Sequence, residues 1–275
     1  MTKRKAYLIV LGVLAICLLM LLSCNEESVT PASVDILKIG KADCIVINTG
    51  TKIVMIDTGE MENLDDIHFY MNKKGYAAID TLILTHYDKD HIGGASDIIS
   101  TYNVKEVIET RITDNSYEYY DYHNTMEVLG ITPKKLNESY LFEYDSCKFT
   151  IDIPRKNKYE EKQDNNSSLI ISMQCGNTSF LFCGDAMELR LSEIIEDNIG
   201  VYDFVKLPHH GNYLDNYKDF LEMTRPAYSV ITDSKKNPAD ESTLEILEEY
   251  NVKSYETRYG TVSVKTDGKV ITVEQ

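Results

Sequence analysis

The chain has 275 residues, of which 43% are hydrophobic and 26% are charged, and its formal net charge at pH 7 is −16. A chain of this length can bury a sizeable core without disulfide bonds, so one enzyme-sized domain is the first expectation. The acidic balance argues against tight, non-specific binding to the phosphates of duplex nucleic acid, although a local basic groove stays compatible with it.

Residues 1–24 have the layout of a secretory signal, with three basic residues before an unbroken apolar run at 6–22. The run ends in the letters LLSC, which resemble a bacterial lipobox, so Cys24 is predicted to carry a lipid after cleavage. An uncleaved membrane anchor is the alternative, because the run reaches the short end of a bilayer span. We expect a flexible tether at 25–33 and one folded domain at 34–275, outside the cytoplasmic membrane.

The first half of the predicted domain begins with strands and then alternates strands with helices. Residues 34–60 alternate β-rich runs with glycine-containing turns, which predicts a three-stranded meander. After it the pattern predicts, in chain order, a helix at 65–76, a strand at 80–85, a helix at 95–103, a strand at 104–111 and an acidic, tyrosine-rich helix or lid at 114–131.

The second half continues the alternation. The pattern predicts strand character at 141–154, a charged loop at 155–168, a hairpin at 168–186 with its turn at Gly176-Asn177, a helix at 186–198, a strand at 201–208, a helix at 215–224, a strand at 227–233, a helix at 241–251 and two final strands. Strands first, then strands and helices in turn, predict a layered α/β sandwich.

Four cysteines lie in the predicted domain, and outside the cytoplasmic membrane they could pair. They are Cys44, Cys147, Cys175 and Cys183. The predicted hairpin, however, places Cys183 opposite Ile170 and leaves Cys175 beside the turn, which separates their sulfurs by about 17 Å. Because a disulfide needs Cα atoms within about 7 Å of each other, we expect buried thiols.

Metal-type donors follow directly after the apolar strand at 80–85. They are His86, Asp88, Asp90 and His91, within the stretch LTHYDKDHIGG. Neighbouring residues of a tight loop point in different directions, so such a cluster can serve two metal ions. Two further predicted strands end in similar donors, one at Gly184-Asp185 and one at His209-His210-Gly211. Three strand ends with such donors favour a metal site over a charged surface loop.

Five motifs, in their order and approximate spacing, are similar to those of the metallo-β-lactamase fold superfamily, and most of all to the extracytoplasmic hydrolase domain of ComEC-type competence proteins. They are IGKAD (39–43), LTHYDKDHIGG (84–94), NNSSL (165–169), CGD (183–185) and PHHG (208–211). The resemblance spans roughly residues 33–272. It implies a four-layer αββα sandwich with the active site at one edge, between the two sheets.

The resemblance also implies two divalent metal ions. In that arrangement His86 and Asp88 hold the first ion, Asp90 and His91 hold the second, Asp185 bridges both, and either His209 or His210 completes the second site. The predicted catalytic residues are Asp90, Asp185 and His210, and the predicted substrate contacts are Asn165 and Ser168. Asp88 stands where the commoner pattern has histidine, which makes the site harder and brings manganese or magnesium into competition with zinc.

These expectations together predict a membrane-tethered, extracytoplasmic metal-dependent phosphodiesterase, with single-stranded DNA as the substrate that the ComEC resemblance suggests. Two alternatives stay open. One is a phosphodiesterase that acts on cell-envelope polymers, and the other is a non-catalytic binding lipoprotein on the same fold. The membrane is an expected partner, through the N-terminal lipid or an uncleaved anchor, and no protein partner is predicted.

Overall fold

The computed structural model describes residues 29–275. The predicted signal, Cys24 and most of the predicted tether lie outside these residues. No helix between residues 29 and 275 is both long enough and apolar enough to cross a bilayer. The first strand begins at Ala32, whose side chain is buried, so the last two residues of the predicted tether belong to the folded domain.

The first half of the described chain opens with strands, as predicted. Its strands are β1 (Ala32–Ile36), β2 (Ile45–Asn48), β3 (Ile53–Ile56), β4 (Ala78–Leu84), β5 (Asn103–Thr110) and β6 (Lys134–Leu136). Its helices are α1 (Leu64–Lys74), α2 (Lys89–Ile92), α3 (Ala95–Thr101) and α4 (Tyr117–Leu129), with a 3₁₀ turn at Met61–Asn63. The predicted meander is confirmed as β1 to β3, and the tyrosine-rich segment is the helix α4.

The second half carries the remaining strands and helices. Its strands are β7 (Tyr140–Tyr144), β8 (Cys147–Asp152), β9 (Ile170–Cys175), β10 (Thr178–Phe182), β11 (Phe204–Lys206), β12 (Tyr228–Ile231), β13 (Lys253–Glu256), β14 (Val262–Thr266) and β15 (Ile271–Glu274). Its helices are α5 (Gln163–Asn166), α6 (Glu188–Asp197), α7 (Tyr217–Thr224) and α8 (Glu241–Glu249), with a 3₁₀ turn at Pro208–Gly211. The predicted charged loop therefore contains a short helix, α5, and three strands rather than two follow α8.

The strands form two sheets. The first sheet has the order β15-β14-β1-β2-β3-β4-β5-β6, and the second has the order β13-β12-β11-β10-β9-β8-β7. Strands β3 to β6 run parallel in the first sheet, and β10 to β13 run parallel in the second. Because parallel strands end on the same side of their sheet, the segments that follow β4, β10 and β11 are candidates to meet at one edge of the molecule.

Three apolar cores separate four layers. Alternate residues of a strand face opposite sides, so in β2 the side chains of Ile45 and Ile47 face the core between the sheets, while Val46 faces outward. On the outer face of the first sheet, Val46 packs in one core with helix residues such as Met71 of α1. Helix residues such as Leu191 of α6 cover the second sheet. The predicted four-layer αββα sandwich is confirmed.

The β9–β10 hairpin has the predicted register, with Phe182 opposite Ile171, so Cys175 and Cys183 stay apart. The prediction of four buried thiols is nevertheless wrong. Cys147 lies directly opposite Cys175 in the β8–β9 ladder, and the two form a disulfide. The pairing was missed because it depends on the register between β8 and β9, which are joined by a long connection. The other two cysteines of the domain are buried thiols.

Candidate metal centre

The predicted donor side chains lie at the carboxyl ends of strands from both sheets. The first sheet supplies His86, Asp88, Asp90 and His91 after β4, and the second supplies Asp185 after β10 and His209 and His210 after β11. This is the side on which the parallel strands of each sheet end, where open α/β sheets bind their ligands. The centre is therefore assembled from two halves, one from each sheet.

Asp57 fixes the start of the donor loop, residues 85–94. Its carboxylate accepts a hydrogen bond from the backbone N–H of Thr85 at 2.8 Å and another from the Thr85 hydroxyl at 2.7 Å. At the end of the loop, a Cβ atom on Gly94 would lie 2.5 Å from the carbonyl oxygen of Thr58. Only glycine allows this close approach, which holds the loop against the segment that follows β3.

Four side chains form a tight donor group, in which the candidate ligand atoms all lie within 4.8 Å of one another. They are Asp90, His91, Asp185 and His210. The Nε2 atom of His91 is 3.2 Å from Oδ1 of Asp185, and the Nε2 atom of His210 is 3.2 Å from Oδ2 of Asp185. The same Nε2 atom of His210 is 3.2 Å from Oδ2 of Asp90. Each oxygen of Asp185 thus faces a different histidine.

Polar atoms without partners test whether a metal ion fits this centre. The Nε2 atoms of His86, His91 and His210 and the Oδ1 atom of Asp185 are buried and have no hydrogen-bond partner. Buried polar atoms of folded proteins nearly always have one. Imidazole nitrogens and a carboxylate oxygen are common ligands of divalent cations such as zinc and manganese. The residues present therefore fit a metal ion.

In His91 and His210 the second ring nitrogen, Nδ1, has a partner that fixes the orientation of the ring. Nδ1 of His91 lies 2.7 Å from Oδ2 of Asp57, and Nδ1 of His210 lies 2.9 Å from the carbonyl oxygen of Thr232. Both partners accept hydrogen bonds, so Nδ1 is the donor and Nε2 is left as the ligand atom. Metal-binding histidines in proteins are oriented in this way.

The carboxylates and imidazoles of the centre shift one another's pKa. Burial opposes ionisation of Asp185, yet the charges on His210 and His91 hold its pKa well below the usual range. Burial likewise disfavours the charged form of His210, but the carboxylates of Asp185, Asp90 and Asp43 together outweigh it and raise the pKa of His210 to about 9. In the metal-free protein, protons on the imidazoles compensate the carboxylates, and a divalent cation would replace them.

His86 and Asp88 lie together beside this group but outside its tightest part. Nε2 of His86 is 3.6 Å from Oδ2 of Asp88, and the imidazole rings of His86 and His91 have centroids 4.1 Å apart. The Asp88 side chain is 35% exposed, whereas that of His86 is fully buried. The predicted pair for the first ion is thus brought together at the solvent side of the centre.

The structure separates the two adjacent histidines of PHHG. Both have left-handed backbone conformations, with φ of 48° at His209 and 54° at His210. His210 points at Asp185, whereas the ring of His209 lies 3.3 Å from the side-chain amide of Asn212 and is absent from the tight donor group. Burial lowers the pKa of His209 to about 4. Of the two predicted alternatives, His210 is the one that lies in the donor group.

Of the predicted substrate contacts, Ser168 bonds to Asp185, whereas Asn165 bonds to Ser168. Ser168 is fully buried, and its hydroxyl accepts a hydrogen bond from the backbone N–H of Asp185 at 3.2 Å. This position supports the Asp185 turn and does not favour contact with a substrate. Asn165 is partly exposed in α5, and its backbone carbonyl oxygen accepts a hydrogen bond from the backbone N–H of Ser168.

Four residues that the sequence reasoning gave no role surround the donors. They are Asp43, Asp57, Thr232 and Lys206, and all four are buried. A carboxylate directly after the apolar strand β3 was an available signal for Asp57, since the donor loop follows β4 in the same manner. Lys206 carried no such signal, because a lysine near the end of a strand normally faces solvent.

Asp43, Asp57 and His91 are also close enough to hold one cation between them. Their oxygen atoms, however, already have partners. Asp57 accepts three hydrogen bonds, from Thr85 and His91, and Asp43 is paired with the ammonium group of Lys206. This second group therefore supports the donors and is not assigned an ion.

Comparisons with known proteins agree with this architecture. The family model described as the Metallo-beta-lactamase superfamily matches residues 38–231. Recombination protein 2 of Haemophilus influenzae is 27% identical over 233 residues, which cover 82% of this chain and 27% of that protein. ComE operon protein 3 of Bacillus subtilis is 24% identical over 207 residues, which cover 73% of this chain and 26% of that protein. The chain spans about a quarter of the length of either relative.

Among solved structures, the metallo-beta-lactamase fold protein YhfI from Bacillus subtilis superposes with a TM-score of 0.56 at 10% identity, over 89% of this chain and 100% of that chain. At this identity the likeness shows the fold alone. The two sequence relatives agree with the resemblance to ComEC-type competence proteins. The family match covers more than half of the chain and includes the donor loop, Asp185 and both histidines of PHHG. The chain belongs to the metallo-β-lactamase superfamily.

Proposed function

We propose that the chain is a metal-dependent phosphodiesterase with single-stranded DNA as its substrate, held outside the cytoplasmic membrane by a lipid on Cys24. The observation that carries the metal-dependent part is the set of four buried ligand atoms without hydrogen-bond partners. The phosphodiester part rests on the aspartate-rich donor set and on the relatives, and it goes beyond the family relationship.

Two divalent ions, manganese or zinc, would be held at the edge between the sheets. Asp90, His91, Asp185 and His210 would hold one, and His86, Asp88 and Asp185 would hold the other. Such ions acidify water and neutralise the charge that develops on a phosphoryl oxygen during hydrolysis. The chain's own contribution is to orient the imidazoles and to provide Asp90, whose partly exposed carboxylate would accept a proton from water on the oxygen that does not face His210.

Two observations favour a phosphate ester over other substrates of this fold. Asp88 and Asp90 give the donor loop hard oxygen ligands, which suit manganese and phosphate chemistry. The matched proteins carry the names Recombination protein 2 and ComE operon protein 3, and the first of these names points to DNA as the substrate class. Since the chain spans only about a quarter of these proteins, the substrate of the whole relative is carried over here as a proposal.

The extracytoplasmic location is supported by two independent features. The predicted signal ends in the lipobox-like LLSC. The Cys147–Cys175 disulfide is of a kind that persists in oxidising compartments and is rare in the cytosol. A radiolabelled-lipid assay on cells that express the wild type and a Cys24→Ser variant would test the anchor directly.

The test of function is cleavage of end-labelled single-stranded DNA by the purified protein with Mn²⁺. We expect cleavage by the wild type and a loss of at least about 100-fold in Asp185→Asn, because outer partners of metal ligands alone cost 10- to 100-fold. The matched control is Asp145→Asn, the same change in the turn between β7 and β8, where Asp145 bonds to Thr49 and Thr51. Equal cleavage by the wild type and Asp185→Asn would contradict the proposal.

A second candidate is hydrolysis of phosphodiesters in cell-envelope material, such as phosphocholine or teichoic-acid-like polymers. The predicted lipid anchor favours it, because an anchored enzyme works beside such polymers. Mn²⁺-dependent cleavage of these polymers without cleavage of DNA would select it. Bound Mn²⁺ without hydrolysis of either class would favour the non-catalytic binding lipoprotein.

A further inference from the structure

A buried ion pair lies directly behind the candidate metal centre. The ammonium group of Lys206 contacts the carboxylate of Asp43, and both side chains are almost completely inaccessible to solvent. The same Nζ atom donates to the carbonyl oxygen of Gly184 at 3.0 Å and lies 3.8 Å from Oδ1 of Asp185. A charged pair is costly to bury and contributes little net stability in general, so its presence here suggests another role.

Asp43 is connected to both halves of the centre. Its backbone N–H donates to the carbonyl oxygen of Asp90 at 3.0 Å, and its own carbonyl oxygen accepts from the backbone N–H of Gly59 at 2.8 Å. Its side chain reaches the other way, where Oδ1 accepts a hydrogen bond from the Thr232 hydroxyl at 2.6 Å and Oδ2 meets Lys206. One residue thus touches the donor loop through its backbone and the opposite sheet through its carboxylate.

These contacts cross from one sheet to the other. Asp43 lies between β1 and β2 of the first sheet, Lys206 is the last residue of β11, and Thr232 follows β12 of the second sheet. The donors are divided in the same way, because the donor loop belongs to the first sheet and Asp185 and His210 belong to the second. The core between the sheets is apolar and non-directional, so it does not by itself set the spacing of the two halves to a fraction of an ångström.

We propose that Asp43 and Lys206 are positioning residues that hold the two halves of the metal centre at ligand distance from each other. This inference rests on the proposed metal centre and not on the identity of the substrate. Lys206 acts as a built-in cation: it neutralises Asp43 behind the histidines and holds the Gly184-Asp185 turn through the Gly184 carbonyl. Asp43 then transmits that position to Asp90 through the backbone.

The test measures Mn²⁺ affinity by calorimetry in Lys206→Met, Asp43→Asn and the double variant. We expect Mn²⁺ to bind at least about tenfold more weakly to each single variant, as for other residues that orient metal ligands. Because both residues act as one link, the double variant should bind no more weakly than the weaker single variant. If the losses of Mn²⁺ affinity in the two single variants multiplied in the double variant, the proposal that Asp43 and Lys206 act as one link would be overturned.

The control is Lys74→Met, which also removes a cation from a buried aspartate. Nζ of Lys74 lies 3.1 Å from Oδ2 of Asp35, but this pair joins α1 to the first sheet and does not reach the second. We expect wild-type Mn²⁺ affinity in this variant. A loss of affinity equal to that of Lys206→Met would show that removing any cation paired with a buried aspartate weakens binding, and it would overturn the specific role of the Asp43–Lys206 pair.

Thr232→Val serves as a milder variant where Lys206→Met does not fold. It removes the hydroxyl that donates to Asp43 and that also lies 2.9 Å from Nδ1 of His210, while the backbone carbonyl that accepts from the same Nδ1 remains. We expect a several-fold loss of Mn²⁺ affinity with an unchanged circular dichroism spectrum, and wild-type affinity would overturn the inference. If the wild type bound neither Mn²⁺ nor Zn²⁺, the proposed metal centre would fail. Bound metal without DNA cleavage would leave this inference intact.

Discussion

At the scale of single residues, the pair His209-His210 shows how backbone conformation decides chemistry. Both residues sit in the left-handed region, which few side chains adopt, and this turn sends their neighbouring side chains in different directions. Nε2 of His210 reaches Asp185, while the ring of His209 stays with the Asn212 amide. The sequence does not tell which of the two histidines faces Asp185, because the two residues are adjacent and chemically identical.

Alanine variants of the two histidines test this assignment. We expect His210→Ala to bind Mn²⁺ at least about tenfold more weakly, since a ligand is lost, and His209→Ala to bind it like the wild type. Bound metal is measured by mass spectrometry after dialysis against a limiting concentration of Mn²⁺. A loss of metal in His209→Ala that matched the loss in His210→Ala would mean that both rings act as ligands.

At the scale of elements, the sequence pattern predicted the structures that depend on neighbouring residues alone. The turn residues Gly176-Asn177 and the flanking apolar runs were enough to predict the β9–β10 hairpin and its register. The disulfide between Cys147 and Cys175 was missed, because the partners are 28 residues apart and their pairing depends on how β8 packs beside β9. Motif spacing likewise identified the donor loop and the IGKAD motif that ends in Asp43, but it gave neither Asp43 nor Lys206 a role, because their contacts join the two sheets.

The disulfide should contribute strongly to stability although the core is large. The two cysteines are 28 residues apart. A cross-link over this separation lowers the conformational entropy of the unfolded chain, which raises the free energy of unfolding by about 2–4 kcal/mol. We therefore expect the Cys147→Ala/Cys175→Ala variant to be less stable by about this amount in urea denaturation, with the same loss in the reduced wild type. Cys44→Ala, at a buried free thiol, should not change the response to reductant. An unchanged midpoint after complete reduction would contradict the expectation.

At the scale of the whole molecule, the two sheets each contribute half of the candidate metal centre. The four-layer sandwich could be predicted from the order of strands and helices together with the motifs, and the structure confirms it. The close approach of the two halves could not be predicted from the sequence, because the distance from Asp90 to His210 depends on how one complete sheet packs on the other. A ligand set divided in this way links metal binding to the stability of the entire fold.

Removal of metal should therefore lower the melting temperature of the whole domain. At a free Mn²⁺ concentration about 100 times the dissociation constant, binding adds about 2.7 kcal/mol of stability. For a domain of this size that corresponds to about 5–10 °C. We expect this difference between Mn²⁺ and EDTA in a thermal melt of the wild type, and little difference for Asp185→Asn. Identical melting curves of the wild type in both conditions would argue against a metal that joins the sheets.

The partly exposed side chain of Asp88 has a consequence for how the two ions would exchange. The buried donor group around Asp185 would enclose its cation, whereas the position at His86 and Asp88 opens to solvent and offers fewer protein ligands. An ion there would complete its coordination with water or with oxygen atoms of the substrate. The ion at His86 and Asp88 would then be held more weakly than the ion at Asp185, so its occupancy would depend on the external metal concentration.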